Sequence, residues 1–110
     1  MIFVTGPLYA GKREYIRNAL HMSEADFSAR AVWDVQDLAL GEDLPALAER
    51  LAEKDIVIAT ELGGGLVPVD RAEREKREAA GRLASLLAGR ADTVVRVCCG
   101  LGQVLKGELK

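Results

Sequence analysis

The strongest constraint on this chain is an alternation. Short apolar runs, Met1 to Thr5, Ala31 to Val35, Ile56 to Ala59 and Thr93 to Cys98, are separated by stretches with helical spacing. Parallel neighbours in a sheet need a crossover between them, and a helix supplies it, so the pattern predicts an α/β fold with a mostly parallel sheet and flanking helices. The first helix is expected from about Lys12 to His21 and a second after Asp43-Leu44-Pro45, where Pro45 suits a first turn. The longest is expected from Asp70 to Gly89, with Ala72, Ala79, Ala80, Leu83, Leu86 and Leu87 turned inward. Its outer side carries Glu73 with Arg77 and Glu78 with Arg82, both in the favourable order four residues apart. Ile56-Val57-Ile58-Ala59 is apolar without interruption, as a strand covered on both faces is, and is expected to be central. Residues Gly100 to Lys110 read as a short tail.

Composition narrows the function classes. With 110 residues, 49% hydrophobic and 29% charged, the chain reads as one globular domain over residues 1–110, without a repeat, a linker or a low-complexity segment. Fifteen Lys and Arg against 17 Asp and Glu leave a net charge of -2, which argues against a nucleic-acid partner and against an acidic membrane. No apolar stretch approaches the roughly 20 residues of a membrane span, and the first residues lack a signal-peptide layout, so a cytoplasmic location is expected. The two cysteines, Cys98 and Cys99, are adjacent, and neighbours in a strand point to opposite faces. A disulfide or a metal site is therefore not expected from them, but rather one buried and one less buried thiol.

Gly6-Pro7-Leu8-Tyr9-Ala10-Gly11-Lys12 fits most of the phosphate-binding pattern G-x-x-x-x-G-K-[ST], and it lies between the first strand and the first helix, as that pattern requires. Gly6 and Gly11 let backbone amides converge, the helix start adds positive potential, and Lys12 brings an ammonium to the outer phosphates. Two residues depart from the pattern. Arg13 stands where a hydroxyl would meet Mg²⁺ and suits direct phosphate binding instead. Pro7 removes one amide from the cradle. An anion site without catalysis and a plain strand-to-helix turn both remain open on these residues. After the third strand, Thr60-Glu61-Leu62-Gly63-Gly64-Gly65 would stand on the same rim, with Gly63 and Gly65 permitting close approach of a ligand and Glu61 meeting a hydroxyl or a metal. Asp34, at the end of the second strand, is the candidate Mg²⁺ carboxylate, with helix capping or a plain surface aspartate the alternatives. His21 is the only histidine, which excludes a multi-histidine metal site.

The stretch Ala59-Thr60-Glu61-Leu62-Gly63-Gly64-Gly65-Leu66-Val67-Pro68, the following Arg74, Arg77 and Ala80-Gly81-Arg82-Leu83, and the closing Gly100-Leu101-Gly102-Gln103-Val104-Leu105-Lys106 resemble the adenosylcobinamide kinase/adenosylcobinamide-phosphate guanylyltransferase family. Ala31-Val32-Trp33-Asp34-Val35-Gln36-Asp37-Leu38 is similar to that family's V-D-C-L-T-L strand. The resemblance implies a cytoplasmic, homo-oligomeric enzyme of cobalamin assembly with a phosphate-loop fold. Such an enzyme takes ATP or GTP with Mg²⁺, phosphorylates the aminopropanol hydroxyl of a corrinoid precursor, and then transfers GMP through a guanylylated histidine. It further implies Lys12 and the loop amides for the triphosphate, Asp34 for the Mg²⁺ region and Glu61 near guanine or substrate.

The departures from the family are specific. About ten residues fill the gap before the Ala31 strand, where the family carries its guanylylated histidine, and His21 does not stand in an equivalent motif. Thr60 and Ser85 replace asparagines, Gln103 falls where the closing proline is displaced, and Arg13 replaces the loop hydroxyl. The expected function is thus an adenosylcobinamide kinase-like nucleotide-binding protein without the guanylyltransferase step. The alternative is a non-catalytic phosphate-binding or regulatory module of the same fold.

Overall fold

The computed structural model describes residues 1–62 and 70–109. In chain order they form strand β1 (Ile2–Gly6), helices α1 (Lys12–Ala19) and α2 (Glu24–Arg30), strand β2 (Ala31–Val32) and a 3₁₀ helix (Val35–Leu38). Helix α3 (Leu44–Leu51), strand β3 (Ile56–Thr60), helix α4 (Arg71–Arg90) and strands β4 (Thr93–Cys98) and β5 (Leu101–Lys106) follow. The sheet order is β2-β3-β1-β4-β5. The first four strands run parallel and β5 returns antiparallel to β4. This is the expected α/β architecture, compatible with a phosphate-loop fold.

Side chains alternate across the sheet and fill a core on each face. On one face Phe3, Val57, Ala59 and Val94 pack with Leu47, Leu51, Leu83 and Leu87 of α3 and α4. On the other, Val4, Ile56, Ile58, Val95 and Val97 pack with Ile16 of α1 and Phe27 of α2. Each large apolar side chain buried this way contributes about 2 kcal/mol. All five residues of β3 are buried, so the uninterrupted apolar run correctly marks a strand covered twice. The middle position, however, belongs to β1, and β3 lies between β1 and β2.

Three further expectations are corrected. The second strand is only two residues long, because Asp34 takes a left-handed backbone (φ 57°) and turns the chain into the 3₁₀ helix, delivering Val35 to the α3–α4 core. Helix α2 was not anticipated; Ser23 caps it by accepting from the Asp26 amide, and Phe27 is its one buried residue. The supposed tail contains β5, whose six residues are all exposed, so periodicity carried no burial signal there. Helix α1 ends at Ala19, with His21 just beyond it at φ 55°. Asp43 and Asp70 cap α3 and α4 through the amides of Ala46 and Ala72. Of the expected ion pairs on α4, Arg82 donates to Glu78 at 2.7 Å, and Arg71 adds a pair with Glu75 at 3.1 Å. Among the described residues no helix is long and apolar enough to cross a membrane.

Candidate functional site

Parallel register brings three strand ends to one rim. Gly6 of β1 lies beside Thr60 of β3, and Thr5 beside Arg96 of β4. The Glu61 amide donates to the Gly6 carbonyl at 2.8 Å, extending the β1–β3 pairing one step into the rim. Gly6 has φ 152°, and a Cβ there would run into the carbonyl oxygen of Val97. The residue is glycine because β4 passes too close for any side chain, and the chain leaves the sheet from that crowded point.

The loop 7–11 rises from Gly6 and enters α1 through Gly11, which caps the helix in a left-handed conformation (φ 81°) without a side-chain acceptor. Amides in the first turn of a helix have no carbonyl of their own to bond, so those of α1 are available to an anion. Tyr9 is almost fully exposed and also has positive φ, 60°. Gly100, in the β4–β5 turn, donates its amide to the Ala10 carbonyl at 2.9 Å and ties this loop to the hairpin.

Lys12 is buried, and its ammonium donates to the Pro7 carbonyl at 2.6 Å. Pro7 therefore costs the loop an amide but supplies the acceptor that holds the lysine. Burial pushes the Lys12 amine below its usual range, an effect partly offset by the negative charges of Asp34 and Glu61. A desolvated cation with a single neutral acceptor is an incompletely compensated charge, and a bound anion would complete it.

Lys12 opens into a cleft of about 430 Å³ whose walls include Tyr9, Arg13, Trp33, Asp34 and Thr60. The Arg13 guanidinium sits over the Trp33 ring, 5.2 Å from its centroid, and Trp33 in turn stacks on Phe27 at 5.8 Å and 13°. Asp34 is exposed at the turn out of β2, and its side chain does not cap the 3₁₀ helix that follows. Among the candidate residues, the structure brings Gly11, Lys12, Arg13 and Asp34 into one cleft, with Gly6 beneath it. Glu61 lines an adjoining recess of about 180 Å³ that shares Thr60 with the cleft. Its two carboxylate oxygens receive a bidentate pair from Arg96, Nε at 2.9 Å and Nη2 at 2.8 Å. Gly63 and Gly65 lie outside the described residues.

Two further residues support the candidates. Gln36 is buried, and its Oε1 accepts the Thr60 amide at 2.9 Å, fixing the end of β3 against the 3₁₀ helix. Arg96 orients Glu61. Its sequence signal was available: one cation inside the otherwise apolar run Val94-Val95-Arg96-Val97. Among the described residues no three His, Cys, Asp or Glu side chains converge as a metal-holding group.

A family model described as cobinamide kinase / cobinamide phosphate guanyltransferase matches residues 14–105, from the first turn of α1 to the penultimate residue of β5. The chain belongs to this family. Two curated members of the cobinamide kinase / guanyltransferase family are similar to it, both named bifunctional adenosylcobalamin biosynthesis protein CobU. The Salmonella typhimurium protein is 38% identical over 63 residues, covering 57% of this chain and 35% of the relative. The Escherichia coli protein is 33% identical over 79 residues, covering 67% and 44%. The matched part thus spans less than half the length of either relative. Membership of the cobinamide kinase / guanyltransferase family agrees with the resemblance in the sequence.

Proposed function

We propose that this chain binds ATP or GTP at the α1 end of the cleft and acts as an adenosylcobinamide kinase-like protein, moving a phosphoryl group to the aminopropanol hydroxyl of a corrinoid precursor. The observation that carries this reading is Lys12, a buried ammonium aimed into a strand–glycine–helix turn in a member of a cobinamide kinase family. Such transfer is mostly positioning and charge neutralisation. Lys12, the amides that follow Gly11 and the Arg13 guanidinium would hold the phosphates. Glu61, kept in one orientation by Arg96, would align the acceptor alcohol, whose oxygen attacks the outer phosphorus as the bond to the leaving diphosphate breaks. Mg²⁺ commonly takes one or two carboxylates, with phosphates and water completing its shell. Asp34 is exposed on the cleft wall and fits as that single carboxylate, and the ion would there neutralise phosphate charge. We further propose that guanylyl transfer is absent, His21 lying on an exposed turn past α1. A cytoplasmic location and self-association belong to the same proposal.

A second reading is favoured by one contact. Arg13 replaces the hydroxyl that meets Mg²⁺ in phosphate loops and rests on Trp33, which suits a module that grips phosphate without turning it over. Single-turnover transfer from labelled ATP or GTP to adenosylcobinamide separates the two. The kinase reading expects a phosphorylated corrinoid that disappears with Lys12→Ala, and nucleotide binding that tightens with Mg²⁺. Nucleotide binding that ignores Mg²⁺, with no Lys12-dependent product, overturns it in favour of the binding module.

A further inference from the structure

β4 ends at Cys98, and the chain turns at once: Cys99 has φ 55° and Gly100 φ 74°. Had the strand continued, the two cysteine side chains would point to opposite faces. The turn brings them together instead, with Sγ atoms 3.9 Å apart, Cys98 half-buried and Cys99 exposed, both as free thiols. Two adjacent thiols in contact at an accessible hairpin tip form a preset bidentate arrangement. Its surroundings narrow what it can take. Arg96, two residues back on the same strand, brings a cation into the neighbourhood, with its guanidinium paired to Glu61. No third His, Cys, Asp or Glu completes a cluster among the described residues, and residues 63–69, Gly-Gly-Gly-Leu-Val-Pro-Val, contain none. A structural zinc site needs four such ligands, and Mg²⁺ and Ca²⁺ require oxygens. Two sulfurs without hard donors match a soft ion that is satisfied by low coordination.

We propose that Cys98 and Cys99 form a two-sulfur site for a soft monovalent metal ion, copper(I) being its simplest occupant. Binding replaces two S–H bonds by two S–Cu bonds and releases two protons. No electron is transferred, and the bis-thiolate complex carries one negative charge next to Arg96. The site shares no residue with the walls of the Lys12 cleft. It is nonetheless joined to the loop before Lys12 by the Gly100 amide bonded to Ala10.

The test is a competition titration of the reduced, full chain under anaerobic conditions, with copper(I) presented as its complex with a chromophoric chelator such as bicinchoninate. The wild type is expected to withdraw one copper(I) per chain. Cys98→Ser and Cys99→Ser, each checked for unchanged circular dichroism and melting, are each expected to lose more than about 100-fold in affinity, since each removes a direct ligand and changes one shell further out already cost up to about that much. X-ray absorption at the copper edge is expected to report two sulfur neighbours. Retention of wild-type affinity in either single variant, less than one equivalent bound by the wild type, or nitrogen and oxygen neighbours at the metal would overturn the proposal.

Discussion

Lys12 concentrates the physics of the cleft in one side chain. Its amine is pushed below the ordinary 10.5, mainly by desolvation, so the protonated form is disfavoured in the folded state. The resulting penalty is fully present below the folded pKa and is relieved as pH rises through it toward 10.5. Lys12→Met removes the charge while keeping most of the volume. It is expected to abolish triphosphate binding yet match or exceed wild-type stability at neutral pH, by up to about 1 kcal/mol. That margin should shrink as pH approaches 10, in urea unfolding of both proteins across the range. Gly6 has the opposite character, because no ligand depends on its chemistry but the backbone depends on its missing Cβ. Gly6→Ala, facing the Val97 carbonyl at φ 152°, is expected to cost about 4 kcal/mol or prevent folding, as read by the same denaturant titration. Both residues are legible in the sequence because the pattern G-x-x-x-x-G-K fixes their spacing. Gln36 is not, since its value lies in one backbone amide 24 positions away.

At the scale of elements, legibility followed burial. β1, β3 and β4 are legible as apolar runs that the sheet buries, and α4 by the helical spacing of Ala80, Leu83 and Leu87. β2 was overread since Val32 and Val35 look like one run, while the left-handed turn at Asp34 divides them between a strand and a 3₁₀ helix. α2 was missed because seven residues with a single buried side chain give no period to detect. β5 was missed for a related reason: it is held by backbone pairing to β4 and by Tyr15 of α1, whose ring occupies the space a side chain at Gly102 would need. Capping was more transparent, since Asp70 stands immediately before the charged helix it starts. Asp70→Ala frees the Ala72 amide and is expected to cost about 1 kcal/mol, visible as a lower unfolding midpoint with an unchanged denaturant slope.

Across the whole molecule, the site is a product of strand order. Sequence alternation was sufficient for a parallel α/β sheet, but the juxtaposition of Arg96 with Glu61, 35 residues apart, required knowing that β1 is flanked by β3 and β4. The same arrangement shaped the division of the rim: the loop after β1 and the turn after β2 make the Lys12 cleft, while Glu61 faces the α4 side. Placing the earliest strand between two late ones also has a kinetic consequence. Ile2 must wait for Ile56 and then for Thr93 before its ladders can form, so little of this sheet can assemble locally while the chain is still being synthesised. Topologies dominated by distant pairings fold slowly for their size. The turn that cradles Lys12 stands on Gly6, which acquires its ceiling only when Val97 arrives, so the Lys12 cleft should be among the last features a newly made molecule completes.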